Sequence, residues 1–510
     1  MTRPNDRPAA DDGTATFAKQ GTIAFGGNIL KKVLGFGIIA VITRLVSPSV
    51  YGLFVLATSL VLLLQTLATL GLPKAIDYFV PQYRAEGRFA EARGVVVQAL
   101  GITLVASVAT AVLLAAVAET LSRWFGEPSL YVALLLLLVA LPLLAVYNVL
   151  LACFSAIKQL KYRVYTRDLV RPTVRFGATV ALLFAGYGLL GVLGGYVAGL
   201  LVCVVVGSVL FVRNAPDIVG ADTKLVPTRP LLAYATPLAV AGIVHVVLGQ
   251  IDYFIIGAFG TTDGVGIYRV GYMIASNLLV VFVAVAPIFK PLVAEARHDD
   301  AAVIRHYRNA TRWVTGLTLP LAIVIALGAE AYLSLIFTPQ YAAATTAVGI
   351  LVIGFLINVA FGGPDGTLLQ GLGYSRLVLL NSALLLGINA VGSALLVPVI
   401  GITGAAIGSA LSLAVVGVAA LVQVYYLRGI HPFTMDLWRV LAAGVPATAA
   451  GAAVVLLSPW LVVVAVVLPI VVMGVYVGSI LAFDGLVEAD VELAAQFGPA
   501  AEQAVAAAVD

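Results

Sequence analysis

The sequence has few charged residues and almost no cysteine. Asp, Glu, Lys and Arg make up 11% of the 510 residues, whereas soluble chains carry about 25%. This shortage excludes a soluble protein of two or three domains. The two cysteines, Cys153 and Cys203, fall in or beside apolar segments, which excludes a disulfide framework and a cysteine-based metal site. The net charge of +4 is too small to indicate a nucleic-acid partner.

Hydrophobic residues are abundant: they form 61% of the chain, and the mean hydropathy is +1.07. Because a bilayer crossing takes roughly 20 to 22 residues, the apolar runs predict about 14 transmembrane helices joined by short loops. The predicted spans are 21–43, 51–72, 94–118, 129–152, 169–187, 190–212, 231–256, 266–288, 312–334, 342–363, 377–397, 402–427, 437–458 and 461–483. We therefore predict an all-α polytopic membrane protein with two pseudo-symmetric six-helix bundles and a C-terminal hairpin. The predicted segments are a disordered cytoplasmic tail at 1–20, an N-terminal bundle at 21–212, a cytoplasmic linker at 213–230, a C-terminal bundle at 231–427, an extra transmembrane hairpin at 437–483 and an acidic cytoplasmic tail at 484–510.

The distribution of positive charge predicts the orientation. Most of the 29 Lys and Arg residues fall in the N-terminal tail and the even-numbered loops, whereas only Arg44 and Arg123 fall in odd-numbered loops. Positive charge accumulates in cytoplasmic loops, so both termini are predicted to be cytoplasmic in a multi-pass protein of the cell membrane. A composition rich in Ala, Val, Gly and Arg with few lysines indicates a prokaryotic source.

The chain contains an internal repeat. Tyr51-Gly52-Leu53-Phe54 aligns with Val265-Gly266-Ile267-Tyr268, and Pro73 aligns with Pro287, both at an offset of 214. At an offset of 213, Gly188, Gly191 and Gly195 align with Gly401, Gly404 and Gly408. Two halves of six spans with the same orientation are typical of transporters built from parallel repeats. The glycines themselves indicate close helix packing by small residues rather than a ligand contact.

Ionisable residues lie deep inside two helices that the repeat relates. Lys31 and Lys32 fall about ten residues into the first span, roughly 15 Å deep at 1.5 Å per residue. The offset of 214 places Lys31 over His245 in the seventh span. Because a charge inside the membrane costs at least about 2.5 kcal/mol, such groups usually face water or a partner. These residues are therefore candidates to line a pathway, and the alternatives for Lys31 and Lys32 are a span that begins elsewhere or a buried structural pair.

A second group lies nearer the outer face. Arg44 ends the first span, Asp252 lies near the end of the seventh, and Arg269 begins the eighth. A structural salt bridge between Asp252 and Arg269 is the alternative to a binding role. The same helices carry amide side chains suited to hydrogen bonds with a sugar or between helices: Asn28, Gln250 and Asn277.

The sequence carries no pattern for chemistry on a bound substrate. No loop exceeds about 25 residues by the span limits above, and no metal-ligand cluster, nucleophile elbow, phosphate loop or ATP-binding motif occurs. We therefore predict a transporter without a cofactor, which leaves a coupling ion of unknown identity. A positively charged pathway suits an anionic or phosphorylated passenger, because fixed ammonium and guanidinium groups offset its cost of desolvation.

Residues 35–54, GFGIIAVITRLVSPSVYGLF, resemble the first-helix signature of polysaccharide-exporting flippases. These flippases belong to the multidrug/oligosaccharidyl-lipid/polysaccharide (MOP) superfamily. Gly71-Leu72-Pro73 at the end of the second span, the loop at 81–93 and the paired glycine ladders are similar to the same family.

This resemblance implies a flippase that moves a polyprenyl-phosphate-linked or pyrophosphate-linked oligosaccharide from the inner to the outer leaflet by alternating access. It implies two bundles around a central cavity lined by the first, second, seventh and eighth spans. The partners implied are the lipid-linked oligosaccharide, the bilayer and glycan-assembly enzymes. By the same resemblance, the candidate phosphate partners are Lys31, Lys32, Arg44 and Arg269, with His245 and Asp252 as secondary lining.

Other functions have different requirements. A multidrug exporter of the same superfamily usually has 12 spans and acidic residues in the pathway, whereas this chain has an extra hairpin and a basic lining. An integral-membrane glycosyltransferase or polymerase needs a sizeable loop with clustered carboxylates or histidines. A scaffold without transport activity gives no reason for lysines in the middle of a span.

Overall fold

The computed structural model describes residues 32–296, 298–485, 490 and 506, and the regular secondary structure of this part of the chain is helical, without strands. Contacts divide the chain into two compact units, Met1–Gln250 and Ile251–Asp510. The division falls inside one long helix, Thr228–Phe259.

The helices of unit one are α1 at 32–45, α2 Pro48–Ala68, α3 Leu72–Ala85, α4 Phe89–Trp124, α5 Pro128–Leu137, α6 Ala140–Ala156, α7 Leu160–Val164, α8 Arg171–Phe184, α9 Gly188–Asn214, α10 Pro216–Val219 and the first part of α11 Thr228–Phe259. A π-helical segment, Tyr165–Val170, joins α7 to α8.

The helices of unit two follow the rest of α11. They are α12 Thr262–Ala275, α13 Leu279–Glu295, α14 Asp300–Tyr332, α15 Thr345–Ile357, α16 Gly363–Gly371, α17 Ser375–Ile400, α18 Ile402–Arg428, α19 Met435–Leu457 and α20 Leu461–Ala482. Short π and 3-10 segments link several of them, including Asn358–Gly362 between α15 and α16.

Eleven helical segments in the described residues are long and apolar enough to cross a membrane, and α5 with α6, bent by 44°, makes a twelfth. The predicted first span begins outside the described residues and continues as α1. The predicted fifth span corresponds to α8, which has only 14 residues. The multi-pass helical fold is therefore confirmed, and the count of about 14 spans stays a prediction.

Close packing at a turn explains the Gly71-Leu72-Pro73 motif in unit one. Gly71 precedes α3 with φ at 71°, a left-handed conformation that favours glycine. A Cβ atom there would lie 2.3 Å from the carbonyl oxygen of Ala235. Leu72 and Ile76 then bury completely in a core cluster shared with α4 and α6.

The two glycine ladders pack helix pairs in the same way. In unit one, a Cβ on Gly195 of α9 would lie 2.0 Å from Thr179 Oγ1 of α8. In unit two, a Cβ on Gly408 of α18 would lie 2.5 Å from Ser393 Oγ of α17. The prediction that the ladders serve close helix packing is confirmed, and α8–α9 in unit one corresponds to α17–α18 in unit two.

The C-terminal hairpin packs against α14. Side chains of α19 and α20 form a core cluster with it that includes Ile323, Ala447, Leu468 and Val472. Glycine again permits the contact, since a Cβ on Gly444 would lie 2.7 Å from a Leu319 methyl carbon. The predicted hairpin is thus part of the core of unit two.

Candidate functional site

A buried carboxylate lies in unit two. Asp252 of α11 is 7% exposed, and its Oδ2 accepts hydrogen bonds from Tyr268 OH at 2.9 Å and Ser409 Oγ at 2.7 Å. Its Oδ1 is buried without a hydrogen-bond partner in the described part of the chain. Burying a charged oxygen without a partner is costly, so this carboxylate is suited to binding a proton or a cation.

Further oxygen atoms extend this cluster, which we call the acidic centre: Asp252, Tyr268, Asn389, Ser393 and Ser409. Ser393 Oγ donates to Asn389 Oδ1 at 2.9 Å, and Ser409 Oγ lies 3.5 Å from the same oxygen. All five side chains are buried. Carboxylate, hydroxyl and amide oxygens are the ligands that hard cations prefer.

Arg269 and Asp252 have different hydrogen-bond partners. Arg269 Nη1 donates to Tyr253 OH at 2.7 Å, and its guanidinium lies 5.5 Å from the centroid of that ring. Asp252 Oδ2 accepts hydrogen bonds from Tyr268 and Ser409. The expected alternative, a salt bridge between Asp252 and Arg269, stays a prediction.

A cationic cluster lies inside unit one. The Arg175 guanidinium lies 5.3 Å from the ring centroids of Phe54 and Tyr196. The Arg171 guanidinium lies 4.9 Å from the Tyr147 centroid. Arginine stacks well on aromatic faces, so rings from α2, α6 and α9 hold both guanidinium groups. We call this set of five residues the basic centre.

The two centres occupy equivalent positions in the repeat. The matched Thr179–Gly195 and Ser393–Gly408 contacts align α8 with α17 at an offset of 214 and α9 with α18 at 213. Arg175 then corresponds to Asn389, and Tyr196 corresponds to Ser409. Each half therefore has polar side chains at these two helix positions, with the half-buried Arg175 in unit one and the buried Asn389 in unit two, whereas Asp252 itself aligns with Ile38 at the same offset.

The other residues predicted from sequence have the following surroundings. Lys32 and Arg44 are exposed on α1, and His245 is exposed on α11. Gln250 Oε1 accepts a hydrogen bond from Ser59 Oγ at 2.6 Å. Asn277 Nδ2 donates to the Met273 carbonyl at 3.0 Å. Lys31 and Asn28 lie outside the described residues.

Sequence reasoning identified Asp252 but missed its partners. Asn389 and Ser393 are spaced four residues apart in an apolar helix, and Ser409 follows a ladder glycine. That spacing places polar groups on one helix face, a pattern that indicates a buried polar cluster. Arg171 and Arg175 lie near the start of an apolar segment in the sequence, and tertiary packing brings the aromatic rings to them.

Comparisons with known proteins agree with this fold. A family model described as polysaccharide biosynthesis protein matches residues 41–346. The teichuronic acid biosynthesis protein TuaB of Bacillus subtilis (strain 168) is 24% identical over 129 residues, which is 25% of this chain. That match spans 26% of the length of TuaB, about a quarter of the relative.

Two solved structures share the fold across most of the chain. The lipid II flippase MurJ, in an inward closed conformation, aligns with a TM-score of 0.70 and 12% identity, covering 91% of this chain and 98% of that one. An inward-facing multidrug resistance MATE family transporter of the MOP superfamily aligns with a TM-score of 0.65 and 15% identity, covering 78% and 94%.

The similarity expected from residues 35–54 is thereby confirmed. The chain shares its fold with transporters of the MOP superfamily. Since the family model covers more than half of the sequence, the chain belongs to the polysaccharide biosynthesis protein family.

Proposed function

We propose that this protein is a flippase for a lipid-linked oligosaccharide. It moves a polyprenyl-phosphate-linked or pyrophosphate-linked sugar from the inner to the outer leaflet of a prokaryotic cell membrane by alternating access, with both termini in the cytoplasm. The observation that carries the proposal is the family match over residues 41–346, on a fold shared with a lipid II flippase. Enzymes of surface-polysaccharide or glycoprotein glycan assembly would supply and use the passenger.

Exposed cations on α1 support a phosphorylated passenger. Lys32 and Arg44 stand twelve residues apart on this helix, which is roughly 18 Å at 1.5 Å per residue. Exposed charges on a membrane helix need water or a counter-charge. Phosphate oxygens form charge-assisted hydrogen bonds with both side-chain types, so we assign Lys32 and Arg44, with Lys31, as phosphate partners.

The remaining predicted residues have secondary roles in this proposal. Arg269 already donates to Tyr253, so it positions that ring and adds positive potential. His245 is exposed on α11 and contributes lining. The amide groups of Asn28, Gln250 and Asn277 offer hydrogen bonds to sugar hydroxyls.

The test is transbilayer movement of a labelled polyprenyl-phosphate oligosaccharide in proteoliposomes. We expect wild type to move the lipid and a Lys31→Ala/Lys32→Ala variant to lose most of that movement. The matched control is Arg213→Ala/Arg229→Ala, which removes two exposed charges elsewhere in unit one. An equal loss of lipid movement in both variants would contradict the assignment of Lys31 and Lys32 as phosphate partners. Export of cationic dyes without lipid movement would replace the flippase by a drug exporter.

We also propose that the acidic centre binds the coupling ion. The unpartnered Oδ1 of Asp252 supports this role, as do the two hydroxyl groups that already donate to Oδ2. A proton or a small hard cation would remove the cost of the buried charge. In unit one the repeat offset of 214 places Ile38 over Asp252 and Arg175 over Asn389. Unit one therefore has an apolar residue in place of the carboxylate and a cation beside it, so we assign the ion to unit two.

The coupling test compares Asp252→Asn with Asp263→Asn, an exposed carboxylate at the start of α12. Lipid movement by wild type and Asp263→Asn should respond to an imposed proton or sodium gradient, whereas Asp252→Asn should not respond. A full response in Asp252→Asn would reject the coupling site and leave the flippase assignment intact.

A further inference from the structure

A basic cavity of about 460 Å³ lies in unit two, between the first turns of α14 and the segment that precedes α19. Its polar lining consists of Arg305, Arg308, Asn309, Arg312, Thr434 and Asp436. The three arginines are spaced by three and four residues, so they share one face of α14. Such a run of guanidinium groups creates a local positive potential.

Two of these arginines are available to a ligand. Arg312 is 5% exposed, and its Nη1 donates to the Gly485 carbonyl at 3.1 Å, while Nη2 pairs with Asp490. Arg308 has one long contact, from Nε to the His431 carbonyl at 3.4 Å. Arg305 is exposed and has no hydrogen bond or ion pair with the described residues.

The acidic group in the lining has a partner of its own. Asp436 lies 3.6 Å from Arg439 in an ion pair on the first turns of α19. Arg312 Nε is buried without a hydrogen-bond partner in the described part of the chain. The guanidinium groups of Arg305 and Arg308 therefore have few or no hydrogen bonds to the described residues, and that of Arg312 is held in place with one N–H unpaired. The cavity retains a positive charge.

The cavity lies at the height of lipid headgroups. The first turns of α14 carry the polar run DAAVIRHYRNATR, and the apolar part of the helix follows. Trp438, in the first turns of α19, is 55% exposed, and Met435 is 69% exposed. Exposed tryptophan beside arginine is typical of the boundary between hydrocarbon and headgroups. This boundary is on the side predicted to be cytoplasmic.

The equivalent face in unit one is closed by the chain itself. At the repeat offset of 214, the three arginines correspond to Glu91, Gly94 and Gln98 of α4. Lys224 Nζ pairs with Glu91 at 2.9 Å, and Gln98 Nε2 donates to the Val226 carbonyl at 2.8 Å. A Cβ on Gly94 would lie 1.9 Å from the Lys224 carbonyl oxygen. In unit one, backbone atoms thus occupy the place that corresponds to the cavity and three arginines of unit two.

We infer that this cavity binds the phosphate headgroup of an anionic phospholipid from the cytoplasmic leaflet. Arginine recognises phosphate through paired N–H donors, and basic pockets between helices on this side of membrane proteins bind anionic headgroups. The neighbouring Trp438 and Met435 provide apolar surface for the acyl chains. A free phosphate ion is also anionic but cannot make that apolar contact. A lipid headgroup and free phosphate can therefore be distinguished by their affinities.

The test measures lipid retention by native mass spectrometry of the full-length protein in a nonionic detergent. Phosphatidylglycerol is the probe, phosphatidylcholine is the zwitterionic comparison, and inorganic phosphate is the competitor. Arg305→Gln/Arg308→Gln should weaken phosphatidylglycerol binding about tenfold or more, because each removed residue provides a charge-assisted hydrogen bond. Arg213→Gln/Arg229→Gln is the control of equal charge.

Preferential retention of phosphatidylglycerol by wild type and by the control variant, lost in Arg305→Gln/Arg308→Gln, supports the site. Equal weakening in both double variants would show a nonspecific charge effect and overturn it. Displacement of the lipid by inorganic phosphate at the lipid's own concentration would also overturn the headgroup assignment. Neither result depends on transport, so the flippase proposal is tested separately.

Discussion

The contact between α17 and α18 provides a quantitative prediction. In Gly408→Ala, the new Cβ would lie 2.5 Å from Ser393 Oγ and 2.7 Å from Ser393 N. The hydroxyl can rotate, but the backbone nitrogen cannot, so the two helices must separate by several tenths of an ångström. Overpacking of this kind costs about 1 to 3 kcal/mol. We expect a loss of about 2 kcal/mol in the free energy of unfolding, measured by SDS titration in mixed micelles.

The matched control lies in the same helix pair. Gly387 of α17 has no atom within 4 Å of an added Cβ. Gly387→Ala should leave stability unchanged or raise it by up to about 1 kcal/mol, since alanine favours helix. If both variants unfold at the same SDS concentration, the ladder does not determine the distance between the helices and the reasoning is refuted.

Two further predictions concern unit one. Gly94→Ala should displace the linker, because the new Cβ would lie 1.9 Å from the Lys224 carbonyl oxygen. Trypsin should then cleave after Lys224 faster than it does in the wild type. The control is Gly101→Ala, whose added Cβ has no atom within 4 Å and should leave the cleavage rate unchanged. Unchanged cleavage would contradict the contact. Cys153 and Cys203 are each 1% exposed, so a membrane-impermeant maleimide should label neither thiol until the protein is denatured. Labelling of the native protein would show that α6 or α9 packs less tightly than described.

Hydrophobic patterning was sufficient to locate most helices. Spans predicted at 190–212 and 402–427 correspond to Gly188–Asn214 and Ile402–Arg428, because glycine and arginine mark both ends of each apolar run. The fifth span was harder, since its arginines and the π segment Tyr165–Val170 interrupt the apolar pattern. The length of helix α8 depends on where the preceding π-helical turns end, and the composition of the segment does not specify that position.

The polar centres depended on contacts that a sequence cannot provide. Asp252 was recognisable as a charge in an apolar segment, but its donors Tyr268 and Ser409 come from α12 and α18. Which faces of these helices meet is determined by packing across more than a hundred residues. The internal repeat was the exception, because its offset related Arg175 to Asn389 once one glycine contact had been matched in each half.

The unequal centres give the two halves different electrostatic roles. A guanidinium held by aromatic rings keeps its charge throughout, whereas a carboxylate with one unpartnered oxygen changes charge when it binds an ion. Under the proposed coupling, the ion binds at Asp252 of unit two, and Arg175 of unit one stays charged whether or not the ion is bound.

The central claim is that the chain moves lipid-linked oligosaccharide across a bilayer. The most direct measurement is the rate at which a fluorescent polyprenyl-pyrophosphate oligosaccharide in the inner leaflet of proteoliposomes becomes accessible to a membrane-impermeant quencher. The account predicts that the inner-leaflet pool becomes accessible in vesicles containing the protein and stays protected in protein-free vesicles. Continued protection in both, with the protein folded and inserted, would contradict the flippase assignment.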